Sequence, residues 1–356
     1  MPTVILFTII TLWAVPTNQG LAEILPEALA VDAQIARGVI DRPQASEESE
    51  TFGDRIQALI PDAERNCRSV TDQPIEVHQL PRTEAQRQLE ATLQQIRQSD
   101  IGDWLVQFAA ARKVTICLDH ATRLEAHYRS HLGLLGLSAR LGPAGRVVFL
   151  AHELAHVPQH PQFSNNRRFS PRDMLLLQQV REAAAEAIAT RVLWQLSQKG
   201  ISAPWQAKLT TAYHDIAESF ERAMDDGEGV ADELWATRSA FHHWFDADWR
   251  REIYDDLMFK TLARIADDPI GLIPTSRQLS DGYLRGVADY AGQSFLIRGD
   301  GQTLIRKFRT RGLPADGQAR LDAILAKTKN KAGRGLSLLA GQPPSTISRG
   351  LMVREE

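Results

Sequence analysis

The sequence predicts an α+β chain, with a small sheet packed on one apolar helix and a predominantly helical C-terminal half. Three observations carry this reading. Two short apolar runs, "KVTICLD" and "HLGLLGLSARLG", have strand length and sit among helical stretches. They lead into "RVVFLAHELAHVPQH", an apolar run interrupted at helical spacing. From Ser170 onward, nearly every segment repeats its apolar residues with a helical period. No internal repeat is evident, so these elements belong to a layered domain.

At 356 residues the chain can bury a large core without help from metal or disulfides. A metal, if held, is there for chemistry. The formal charge of −3 and a pI near 6.4 give no footprint of a nucleic-acid binder, so no nucleic-acid partner is expected. The basic stretches "RKFRTRG" and "KTKNKAGRG" read as solvated surface.

In chain order, "MPTVILFTIITLWAVPTNQGLAEI" holds an uncharged apolar run too short to cross a bilayer, closed by Pro16 and followed by the small residue Ala22. Residues 1–22 are therefore read as a signal peptide and the protein as periplasmic or secreted, with no stable membrane span after leader removal. No Lys or Arg precedes Arg37, and a run that is not a leader would instead leave the protein cytoplasmic. Residues 23–66 are expected to be a mobile segment, because "DRPQASEESETFGD" has too little apolar surface to offset its ordering entropy.

Residues 67–200 are read as the core unit. Thr83 with Gln86 resembles a capping box, and Leu89, Leu93 and Ile96 share one face of the helix it opens. "GDWLVQFAAAR" is a second helix, and the two strand-like runs follow. Pro158, lacking an N–H, is expected to end the next helix. Ser170, Pro171 and Asp173 have the character of an N-cap, a first-turn proline and a first-turn acid, while Gly200 after Lys199 closes that helix. Residues 201–330 read as a helical region in long continuous stretches, and 331–356, with "GQPPSTISRG", as a disordered tail. The aromatics Phe241, Trp244, Phe245 and Trp249 fall at core spacing. Cys67 and Cys117 are the only cysteines. A bridge between them would close a loop of about 50 residues, worth roughly 4 kcal/mol in the chain-entropy model; two buried thiols are the alternative.

The chemistry lies in "HELAH". Residues four apart in a helix sit on the same face, so His152 and His156 present two imidazoles to one point, with Glu153 about 100° around the axis as a base. Two imidazoles and a carboxylate in an apolar helix are costly to bury unless something pairs with them, and a divalent cation does so. A catalytic Zn²⁺ needs a third protein ligand. "REAAAEAIAT" offers Glu182 and Glu186, again four apart, on an alanine-rich helix where Arg181 can compensate only part of their charge.

His152, Glu153, His156 and a later helix bearing Glu182 resemble the gluzincin branch of the zincin metallopeptidases. That resemblance implies a zincin-like fold, one Zn²⁺ per chain, Glu182 as third ligand and Glu186 as the acidic residue that orients a ligand histidine. The usual residue at that last place is Asp, and Glu186 is longer, so which carboxylate touches the metal stays open between them. "VTICLD" and "HELAHVPQ" are also similar to a bacterial family of uncharacterised metallopeptidases. The resemblance covers roughly residues 113 to 197.

Among rival ligands, His160 lies beyond Pro158 and off the helical face, while His120, His127 and His131 read as turn or surface residues. The implied function is hydrolysis of a peptide or protein substrate by zinc-activated water, with Glu153 as general base. Tyr213, His214, His242, His243 and Tyr254 are candidates for the oxyanion donor, each also readable as packing or surface. The strand "HLGLLGLSARL" is the implied edge for an extended substrate. The alternative function is a catalytically silent zincin-like protein that holds metal or binds a partner.

Overall fold

A computed structural model of the chain describes residues 60, 62–71, 83–122, 124–163, 169–226, 233–267 and 278–340. The expected leader, nearly all of the linker and the chain end from 341 lie outside the described residues. A short helix, α1 (Ala63–Asn66), runs into β1 (Cys67–Ser69). Helix α2 (Glu84–Ile96) opens with a complete capping box: the Thr83 hydroxyl accepts from the Gln86 N–H at 3.2 Å, and the Gln86 side chain accepts from the Thr83 N–H at 3.3 Å. Its Leu89, Leu93 and Ile96 are buried. Helix α3 (Asp100–Ala111), capped by Ser99, follows at once.

Strands β2 (Thr115–Asp119), β3 (Ala126–Arg129) and β4 (Leu134–Ser138) complete a mixed sheet in the order β1-β2-β4-β3. Only the central pair, β2 and β4, is parallel, and both are buried along their whole length. This is why they read as continuous apolar runs. The edges β1 and β3 are short and partly exposed, with no such run to reveal them. Gly136 in β4 faces His127 in β3, and a Cβ there would fall 2.3 Å from the imidazole. Because β4 is paired on both sides, "HLGLLGLSARL" has no edge to offer a peptide; the outer edge on that side is β3.

Helix α4 (Pro143–Phe163) lies against β3 and β4, and its other sides meet α2, α3 and α5 (Pro171–Gln198). The helix does not stop at Pro158 but runs on to Phe163. Pro158 leaves the Leu154 carbonyl without its helical donor. The turn is held from outside instead: the Tyr290 hydroxyl donates to the Ala155 carbonyl at 3.0 Å, and Gln159 donates to the Arg181 carbonyl at 3.1 Å. Helix α5 starts where Ser170 accepts from the Asp173 N–H at 3.1 Å and closes before Gly200, whose φ of 85° suits a residue without Cβ. Its alanines 183, 184, 185, 187 and 189 are fully buried and let α4 approach closely.

The later stretches break where the sequence reads as continuous. Helix α6 (Ala203–Leu209) is separated from α7 (His214–Asp225) by a turn in which Thr210 and Thr211 donate back to the carbonyls of Ala207 and Lys208 at 2.7 and 2.8 Å. Such local bonds compete with helix continuation. Helices α8 (Glu233–Trp244) and α9 (Asp248–Asp267) follow, then α10 (Asp281–Val287). A hairpin of β5 (Asp289–Tyr290) and β6 (Gln293–Ser294) turns at Ala291 and Gly292, both at positive φ. Helices α11 (Asp300–Arg311) and α12 (Ala315–Ala340) close the description, the last running past residue 330 where a tail was expected. Phe241 and Trp244 are buried, Phe245 is half-buried and Trp249 is 39% exposed, so only part of that aromatic set is core. Among the described residues, no helix is long and apolar enough to cross a membrane.

Cys67 and Cys117 stand opposite each other in the β1–β2 register and are joined by a disulfide. It ties the first described strand to the centre of the sheet across a sequence separation of 50. Native protein should therefore yield no free thiol, and two after denaturation with reductant. Replacing both cysteines with serine should lower unfolding free energy by about 2–4 kcal/mol in denaturant titration. Two titratable thiols in the unreduced protein would show the bridge to be absent.

Candidate metal centre

His152 and His156, one turn apart on α4, bring their Nε2 atoms to 3.2 Å. Oε2 of Glu182, on α5, lies 3.5 Å from each of those nitrogens. The three atoms form a triangle whose edges match the roughly 3.3 Å that two ligands subtend at a tetrahedral ion with zinc-like bond lengths. Among the described residues, these three are the group of ligating side chains placed to hold a metal ion.

The outer partners of the histidines decide what the inner atoms are. Glu186 Oε2 lies 2.9 Å from His152 Nδ1, and a carboxylate accepts only, so Nδ1–H donates and, in the neutral imidazole, Nε2 carries the lone pair. For His156 the assignment runs through a longer chain. The Tyr290 hydroxyl donates to the Ala155 carbonyl, so it accepts from Gln159 Nε2 at 2.8 Å. Gln159 Oε1 therefore faces His156 Nδ1 at 2.9 Å and accepts from it. Nε2 of His156 is left with a lone pair as well. With both imidazoles neutral, three acceptors converge on one point, an arrangement that repels itself unless a cation, metal ion or proton, sits between. The donor set fits a divalent ion of zinc type.

Glu153, next to His152, is half-buried, and burial pushes its carboxyl above the ordinary range despite the neighbouring imidazoles. Burial acts on Glu182 too, but His156 and His152, when protonated, outweigh it and hold that carboxyl well below the usual range. Gln178 donates to its other oxygen at 2.7 Å. The Tyr254 hydroxyl lies 3.5 Å from that of Tyr213 and near enough to Glu182 to feel its charge. Burial, then the Glu182 charge, keeps the Tyr254 phenol protonated well above its ordinary pKa.

The other residues singled out in the sequence fall elsewhere. His242 lies near Asp300 at 3.7 Å, His243 pairs with Asp215 and Asp246, and His214 is exposed at the start of α7. His120 is exposed after β2, and His127 lies over Gly136 in β3. The side chains of His131 and His160 are outside the described residues; His160 belongs to α4, since Pro158 does not end it. A cavity of about 890 Å³ lined by Trp235, Arg238, His242 and Phe245, among others, includes none of the cluster's residues. Arg181 forms no ion pair with Glu182 or Glu186. The cation beside Glu186 is Lys208 of α6, which pairs with Oε1. Lys208, Gln159 and Tyr290 have no sequence signal: each is one ordinary residue, and contact alone gives it a role.

With these residues in place, comparison with known proteins gives one match. A family model described as "Putative metallopeptidase family (DUF6782)" matches residues 66–295, well over half of the chain and wider on both sides than the segment 113–197. No curated protein and no solved structure matches.

Purified protein should bind about one divalent ion per chain. Glu182→Ala should lose it, whereas Glu186→Ala should retain it with affinity reduced about 10- to 100-fold. Elemental analysis after reconstitution reads both, and a metal-free wild type would rule out the centre.

Proposed function

The chain belongs to that metallopeptidase family, and from this premise we propose that it is a single-zinc peptidase of gluzincin type with a zincin-like core. The carrying observation is the convergence of Nε2 of His152, Nε2 of His156 and Oε2 of Glu182 on one point, with Nδ1 of both histidines hydrogen-bonded outward. Glu182 rather than Glu186 is the ligand in this reading, because both oxygens of Glu186 are already engaged, by His152 and Lys208. Two imidazoles and a carboxylate suit zinc with one position left open.

When bound, the ion polarises the scissile carbonyl and lowers the pKa of an attacking water. Glu153 takes the proton from that water at its carboxylate and returns it to the departing amine nitrogen. Tyr254, protonated beside Glu182, donates a hydrogen bond to the developing oxyanion, with Tyr213 behind it. An extended peptide adds to the outer edge of β3, the strand packed against α4.

In assays on a mixed peptide library, Glu153→Gln should keep its metal and lose at least about 10²-fold in kcat. Tyr254→Phe should lose about 10²–10³-fold with KM little changed. Equal cleavage by wild type and Glu153→Gln would refute the mechanism, and no cleavage by a metal-loaded wild type would favour the catalytically silent reading.

Export to an oxidising compartment belongs to the same proposal, supported by the Cys67–Cys117 bridge and the apolar run before Pro16. The mature N-terminus, read by mass spectrometry, should begin near residue 23. A retained Met1 would remove the export reading.

A further inference from the structure

Nothing in the chemistry above uses Lys208, yet its ammonium is one of the most deeply placed charges in the protein. The residue is 2% exposed, on a helix that touches both α4 and α5. A buried ammonium is costly unless paired. Its partner is Glu186 Oε1, while the other oxygen of that carboxylate accepts from His152 Nδ1 at 2.9 Å. The remaining charges nearby do not replace that partner. Arg250 is a second cation, and Asp215 is taken up by Arg250 and His243. The Tyr213 ring lies 5.3 Å from Lys208 Nζ and 5.1 Å from the Arg250 guanidinium carbon, so it faces both cations. Burial, with Arg250 adding to it and Asp215 opposing it, lowers the Lys208 pKa to about 7.

One consequence follows from this placement. A carboxylate hydrogen-bonded at one oxygen and ion-paired at the other is restrained from rotating, so Glu186 favours one tautomer and one ring orientation of His152.

We infer that Lys208 is a positioning residue of the metal centre, whose ion pair locks Glu186 against His152 and so fixes the nitrogen that His152 presents to the ion. The inference rests on the proposal that His152, His156 and Glu182 are the ligands.

The test is zinc affinity, measured by competition with a chromogenic chelator on full-length wild type, Lys208→Met, Glu186→Gln and the double variant. Lys208→Met should bind zinc about 10-fold more weakly. The double variant should be no more than about threefold weaker than the weaker single one, because both changes break the same link. A merely structural lysine would give losses that multiply, and that result overturns the inference, as does unchanged affinity in Lys208→Met. Should Lys208→Met not fold, Lys208→Gln, which can still donate to Glu186, is put through the same cycle. A loss smaller than that of Glu186→Gln and non-multiplying supports the inference; a multiplying one overturns it. A wild type that takes up no zinc overturns the ligand set and this inference together, whereas tight wild-type binding with an unaffected Lys208→Met overturns this inference alone.

Discussion

Three potential ligand atoms meeting at one buried point is the constraint on which the rest of the structure turns. His152, His156 and Glu182 come within 3.5 Å of one another, each already committed on its far side. Such a cluster is unfavourable by itself and must be imposed by packing. The imposition comes from α4 and α5, whose contact is lined by alanines small enough to bring two helical backbones together. Larger side chains there would separate the helices and open the triangle. The sheet, in turn, supplies α4 with a rigid floor, and the disulfide ties its first strand to the centre of that floor.

The ligands come from a short stretch, but what orients them does not. Gln159 is fixed by Tyr290, which lies on a hairpin 131 residues further on, and Glu186 is gripped by Lys208 from a separate helix. The match to the family model likewise runs well past the ligand helices and ends at residue 295, just beyond the hairpin. The C-terminal helices are part of the centre's construction. Tyr254 on α9 feels the Glu182 charge from that side as well.

Legibility in the sequence followed the range of the interaction. The capping box at Thr83 and the N-cap at Ser170 are local hydrogen bonds, and three residues suffice to recognise each. Strands β2 and β4 were legible because burial on both faces writes an unbroken apolar run, while β1 and β3 were hidden because an edge strand needs none. The spacing of His152, Glu153, His156, Glu182 and Glu186 was readable because helical periodicity converts i, i+4 into adjacency. Pro158 misled for the complementary reason. A local rule ends helices at proline, but Tyr290 and Gln159 hold the turn through contacts that no window around Pro158 contains. Arg181 was the obvious local cation for the two glutamates, and the one that pairs with Glu186, Lys208, lies 22 positions after that glutamate on another helix.

The length of Glu186 ties these points together. An aspartate at that place would reach its histidine with one fewer rotatable bond, and so with less conformational freedom to lose on ordering. Glutamate reaches further, far enough to meet both His152 and an ammonium arriving from α6, but it is floppier and its carboxylate could swing into the ligand position. Lys208 removes that freedom by occupying the second oxygen. Seen this way, the longer acid and the buried lysine are one device: the glutamate is tolerable as an orienting group because the lysine restrains it, and the lysine is tolerable in the interior because the glutamate neutralises it. Neither residue makes physical sense at this site without the other, and Arg181 cannot substitute, since it forms no ion pair with either glutamate.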